Sequence, residues 1–158
     1  MDKKIIFIVK AAIIAALYTA LTVSFSFLAY NSLQVRISEA LAILPFFTPA
    51  AIPGLFIGCI LANLGSPLGI LDILLGSLCS LVAAFLASKI KIKALVPLPA
   101  VLINALVVPY VLWVVLGIPY LASVFWVGLG QVIAVYGLGY PLLLFIDRNI
   151  PLKNILKN

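Results

Sequence analysis

Apolar residues in this chain do not alternate with polar ones; they come in runs separated by short polar breaks. The first run, about Ile5 to Ala29, is long enough to cross a hydrocarbon core of about 30 Å at about 1.5 Å per helical residue. Tyr30-Asn31-Ser32-Leu33-Gln34 breaks it. A shorter run, RISEALAILPFF, carries Glu39 and is stopped by Pro45. Thr48-Pro49-Ala50-Ala51-Ile52-Pro53 is a turn signal, and Pro53 suits the first turn of a helix. GLFIGCILANL then continues to about Leu64, and Gly65-Ser66-Pro67-Leu68-Gly69 breaks the pattern again. A fourth run covers about Ile70 to Ala87 and ends in SKIKIK. A fifth covers about Pro97 to Leu116, with a kink expected at Pro109. After the tight turn Gly117-Ile118-Pro119, a sixth covers about Tyr120 to Ile146, with a bend expected at Pro141. A polar tail, Asp147 to Asn158, closes the chain.

Composition turns these runs into membrane helices. Of 158 residues 66% are hydrophobic and 9% charged, with mean hydropathy +1.34. A soluble domain carries roughly 25% charged residues, so this chain lacks the polar surface that water requires. The expected fold is all-α, a single polytopic membrane domain over residues 1–158, in the cell membrane. The N-terminal MDKK and the run behind it resemble a secretory signal, but that run is too long for a signal core and is expected to be the first helix.

The net charge of +6 is read as lysines at cytoplasmic helix ends rather than as a nucleic-acid surface. It also decides how many helices cross. The second and third runs are short, and as one broken helix they would give five spans. With six spans and both termini cytoplasmic, Lys3, Lys4, Lys10, Lys89, Lys91, Lys93, Arg148, Lys153 and Lys157 all lie near the cytoplasmic side. Five spans would move the N-terminal lysines across, so the positive-inside rule favours six. Arg36 is the one basic residue left outside.

Six spans also gather polar residues at the outer side: Tyr30, Asn31, Gln34, Arg36 and Glu39 at the first outer loop, Asn63, Ser66 and Asp72 around the second, Tyr120 and Ser123 beyond the third. A charge within a membrane segment costs about 2.5–3.5 kcal/mol on insertion scales, and such groups persist where they pair, line a wet cavity or bind something. Glu39 and Asp72 are therefore candidate ligand groups. The plain alternatives are an Arg36–Glu39 pair at (i, i+3) anchoring a helix end, and an Asp72 favoured by a helix N-terminus. Asn104 and Gln131 lie deeper. They suit either an interhelical hydrogen bond or the edge of a heterocycle. Trp126 is a candidate stacking residue. The two cysteines, Cys59 and Cys79, sit in apolar runs as small buried residues. There is no histidine for metal or acid–base chemistry, no GxxxxGK[ST] phosphate loop, and nothing that calls for a cofactor.

In the first helix, Ala11 and Ala15, and Ala12, Ala16 and Ala20, are spaced by four. Such a strip lets another helix approach closely, either within the bundle or in a partner.

The stretch QVRISEALAILPFFTPAAIPGLFIGCILANL, followed by DILLGSL, resembles the QueT family. These are substrate-binding S components of energy-coupling factor (ECF) importers, assigned to queuosine precursors. The resemblance runs over most of the chain and is clearest from Gln34 to Leu78. It implies a small-molecule 7-deazapurine ligand such as preQ1, bound from outside and lidded by the first outer loop. It further implies a membrane T subunit and two ATPase subunits as partners, and a toppling motion for release. Glu39 and Asp72 would meet the two ends of preQ1, in an order left open. Asn63, Asn104 and Gln131 would complete the edges, Trp126 or Tyr30 would stack, and Arg36 would orient Glu39 or hold the lid. Three rivals remain: an S component for another vitamin, a proton-coupled carrier or channel using Glu39 or Asp72, and an intramembrane enzyme. Biotin fits poorly, because only Arg36 offers an outer positive charge to a carboxylate.

Overall fold

A computed structural model of the chain describes residues 2–29 and 35–157. All regular structure among them is helical. Helix α1 spans Lys3–Ser24, and a single turn, α2, spans Ser26–Ala29. A 3₁₀ helix follows at Ile37–Phe46, then α3 at Ala51–Asn63. A π-helix at Asp72–Gly76 runs on into α4 at Ser77–Lys89. A short 3₁₀ turn, Lys93–Leu95, leads to α5 at Leu98–Leu116. Helix α6 at Tyr120–Gln131 continues through a second π-helix, Val132–Gly139, into α7 at Tyr140–Arg148. The chain ends in α8, Ile150–Lys157.

Four of these stretches are long and apolar enough to cross a membrane: Lys3–Ser24, Asp72–Lys89, Lys93–Leu116 and Tyr120–Arg148. The two apolar segments between the first and second of them are shorter. Ile37–Phe46, at about 2.0 Å per residue, and α3, at about 1.5 Å per residue, each reach only about 20 Å. As an α-helix the ten residues of the first would reach only about 15 Å, so the 3₁₀ winding brings the two to equal length. They are separate elements. Backbone bonds from Phe47 and Thr48 to Leu44, and from Ala51 to Thr48, close the turn that carries Pro49.

Contacts fix the direction of every segment. Ala11 faces Gly54 and Ala15 faces Gly58, so α1 and α3 run the same way. Tyr18 bonds Glu39 and Thr22 bonds Ser38, so the first 3₁₀ helix runs against α1. Asn63 meets Asp72, which sets Asp72–Lys89 against α3. Tyr120 bonds Leu106 and Gln131 meets Asn104, which sets α6 against α5. The six apolar segments thus alternate. At one end of the bundle Asp147 takes ion pairs from Lys93 at 2.5 Å and Lys153 at 2.7 Å. At the same end Lys10 Nζ donates to the Leu156 carbonyl at 3.2 Å. The beginning of the chain, the lysine loop and the C-terminal helix therefore share one end.

The first 3₁₀ helix is the centre of the bundle. Every residue from Ser38 to Pro45 is buried, against α1, α3, α4, α7 and the second π-helix. The outside of the molecule is apolar: Ile8, Phe27, Leu64, Ile70, Leu121 and Phe125 are each more than 60% exposed. That is a lipid-facing surface, consistent with a multi-pass membrane protein.

Three expectations change in detail. The tail read as polar is helical, with Leu152 and Leu156, one turn apart, packed on the core. Pro109 lies inside a continuous α5. Pro141 sits in the first turn of α7, where a missing N–H is tolerated, and the helix changes winding before it, in the π-helix.

Candidate functional site

Three charged side chains are buried at the end of the bundle opposite the lysine loop: Arg36 is 9% exposed, Glu39 3% and Asp72 3%. Asp72 opens an 18-residue helical stretch that ends at Lys89, so it lies about 27 Å from the lysine end. Burying charge is costly unless each group is hydrogen-bonded, and these three are satisfied in an unusual way. The expected Arg36–Glu39 ion pair does not form. Arg36 Nη2 donates to Asn63 Oδ1. Glu39 Oε1 accepts from the Tyr18 hydroxyl at 2.5 Å. Asp72 Oδ2 accepts from the Ser66 hydroxyl at 2.6 Å. Each charge is thus held by a neutral partner, and among the described residues the ion pairs at the lysine end are the only ones. One positive and two negative formal charges leave the cluster a net charge of −1.

Asn63 ties the cluster together. Its Nδ2 donates to the Asp72 carbonyl at 3.0 Å and lies 3.6 Å from Cys59 Sγ, while its Oδ1 takes Arg36. With its amide committed on both sides, Asn63 positions its neighbours and has little capacity left to read a ligand edge.

Two of the irregular windings carry a candidate residue, and a third directly follows one. Glu39 lies in the first 3₁₀ helix, Asp72 opens one π-helix, and Gln131 immediately precedes the other. Such windings are uncommon and recur at functional sites. The first π-helix also depends on Gly76. A Cβ there would lie 2.8 Å from Asn63 Nδ2 and 3.3 Å from Asp72 Oδ1. Gly76→Ala should therefore displace the Asn63 amide and destabilise the protein by about 1–2 kcal/mol, an overpacking cost. A thermal unfolding midpoint in detergent equal to wild type would show that this clearance is not needed.

Asn104 Nδ2 donates to Gln131 Oε1 at 3.2 Å, both side chains being buried. This is a second polar pair between α5 and α6, with no hydrogen bond to the first cluster among the described residues. Trp126 is 45% exposed and packs edge-on against Phe125, with ring centroids 5.2 Å apart, on the lipid-facing side. It is not brought to the cluster. Tyr30 lies outside the described residues. The alanines divide. Ala11 and Ala15 are buried against α3, where Cβ atoms at Gly54 and Gly58 would sit 2.8 Å and 2.9 Å from their carbonyl oxygens. Ala12, Ala16 and Ala20 are exposed.

Tyr18 and Ser80 were not anticipated from the sequence, and Ser66 was read only as one of the outer polar residues beside Asp72. Tyr18, Glu39, Ala42, Leu55, Ser80 and Ala83 line a cavity of about 10 Å³. That is near the lower limit for one water molecule. A signal for Tyr18 existed: it continues the face of Ala11 and Ala15 and stands one turn before Thr22, which bonds Ser38 at 2.6 Å.

No curated protein and no solved structure matches the chain. The model of one family, described as the QueT transporter, matches residues 8–148. With nearly its whole length matched, the chain belongs to the QueT transporter family.

Proposed function

We propose that this chain is the substrate-binding S component of an ECF-type importer in the cell membrane, and that it captures a 7-deazaguanine such as preQ1 from the outer side. The observation that carries the substrate assignment is the buried trio of Arg36, Glu39 and Asp72, held by neutral partners and bearing a net charge of −1. A monocation restores neutrality there, and preQ1 carries one ammonium on its aminomethyl group. Its guanine-like edge offers adjacent N–H groups that a carboxylate accepts as a pair. Glu39 and Asp72 are the two carboxylates for these two ends. Asn104 and Gln131, once their mutual bond is exchanged, supply further donors and acceptors. The water-sized cavity beside Glu39 is smaller than a bicyclic base, so binding entails rearrangement around the 3₁₀ helix.

In this reading the chain crosses the membrane six times with both termini cytoplasmic. The alternating directions of the six segments and the shared basic end support that topology. ATP hydrolysis belongs to two separate ATPase subunits, and the chain itself is not an enzyme. The exposed strip Ala12, Ala16, Ala20 is the face offered to the T subunit.

Calorimetric titration of the purified chain with preQ1, with guanine and biotin as controls, tests the assignment. Tight binding of preQ1 that guanine does not match is the expected result. A folded sample that binds none of the three would end the substrate assignment.

A further inference from the structure

Among the described residues a single buried side-chain nitrogen or oxygen lacks a hydrogen-bond partner: Nε of Arg36. The side chain around it is more than nine-tenths buried. A buried donor of a charged group left unpaired is among the costlier defects in a protein interior. Its position explains what it is for. Arg36 caps the 3₁₀ helix and its carbonyl accepts from the Glu39 N–H at 3.0 Å, one 3₁₀ turn on. That bond makes the two residues close neighbours at the start of the helix, with Arg36 itself extended and Glu39 in the first turn. The helix start therefore brings a donor with nothing to bind near a carboxylate with acceptor capacity to spare, since Tyr18 uses only one of its lone pairs.

We propose that the Arg36 Nε–H reads a ring carbonyl of the ligand next to the ring N–H groups that Glu39 accepts, making Arg36 the residue that selects an oxo-purine edge. This rests on the 7-deazaguanine reading above and deepens it. The acceptor–donor–donor edge of a guanine-like base matches the pair in order. An analogue with sulfur in place of the carbonyl oxygen keeps the ring N–H groups for Glu39 and offers Arg36 only a weak acceptor. A site built to hydrogen-bond one group rejects the analogue lacking it far more strongly than an apolar pocket does. Asp72, on the neighbouring π-helix, is then left for the aminomethyl ammonium.

The experiment compares preQ1 with its thio analogue, in which sulfur replaces the ring carbonyl oxygen and the ring N–H groups are kept. Wild type should prefer preQ1 by at least about 100-fold, and Arg36→Gln should reduce that ratio to about tenfold or less. The ratio between preQ1 and 7-deazaguanine without the aminomethyl group should stay unchanged in the variant. A general loss of folding would not leave one ratio intact and collapse the other. The chain has two arginines, Arg36 and Arg148, so nitrogen-15 labelling of arginine gives a direct readout in wild type, independent of whether the variant folds. One Nε–H signal should move on addition of preQ1. Binding of preQ1 without preference over the thio analogue, or without movement of either arginine signal, overturns the role of Arg36 and leaves the substrate class standing. Failure to bind preQ1 at all overturns both.

Discussion

Glu39→Gln should weaken preQ1 binding by at least about tenfold, the loss expected when one charge-assisted contact becomes a neutral one. The substitution keeps the shape of the side chain. Its amide oxygen can still accept the Tyr18 hydroxyl, whose bond to Glu39 joins α1 to the central 3₁₀ helix. The fold should therefore persist and the loss should appear in the ligand isotherm. Tyr18→Phe is the matched control, because it removes that bond and keeps the charge. If Glu39→Gln bound preQ1 with wild-type affinity, Glu39 would be a structural anchor and no part of the binding site.

Gly58→Leu should have the largest effect on stability, about 3 kcal/mol, at the upper end of overpacking costs. A Cβ at Gly58 would lie 2.9 Å from the Ala15 carbonyl oxygen, 2.9 Å from Tyr18 Cβ and 3.1 Å from Ala15 Cα. These are backbone atoms and a Cβ, which cannot swing aside as a long side chain can. Relief requires α1 and α3 to separate, which also pulls Tyr18 off Glu39 and breaks the 3.2 Å bond from the Thr19 hydroxyl to the Gly58 carbonyl. Gly128→Ala is the contrast, since a Cβ there would meet Ala105 Cβ at 3.5 Å, an ordinary contact. Unfolding followed in increasing denaturing detergent should rank Gly58→Leu far below wild type and Gly128→Ala beside it. Equal midpoints for all three would mean that the α1–α3 approach is not a tight one.

The long spans were legible because the bilayer enforces their length. The fourth run was read as Ile70 to Ala87 and lies at Asp72–Lys89; the fifth was read from Pro97 and lies at Leu98–Leu116. Hydrogen-bond register was not legible. In a segment such as ALAIL every position is apolar, so no periodicity distinguishes 3₁₀, α and π winding. The candidate charges Arg36, Glu39 and Asp72 stood out because ionisable groups in apolar runs are rare. Their partners did not. Spacing alone paired Arg36 with Glu39, whereas the actual partners are Asn63 and Tyr18, both distant in sequence. Trp126 lies off the inward face of α6, which runs through Ser123, Val127, Gly130 and Gln131; the polar residues Ser123 and Gln131, about two turns apart, marked that face in the sequence.

The winding of Ile37–Phe46 has a consequence for motion. Ten residues differ by about 5 Å in length between 3₁₀ and α winding, and the angle between residues three apart differs by about 60°. A change of winding there would therefore be a screw: the segment would shorten while Glu39 swung about its axis. In the proposed binding mode, the hold on the ligand and the reach of the central segment would be one coordinate, set by which carbonyl each amide chooses.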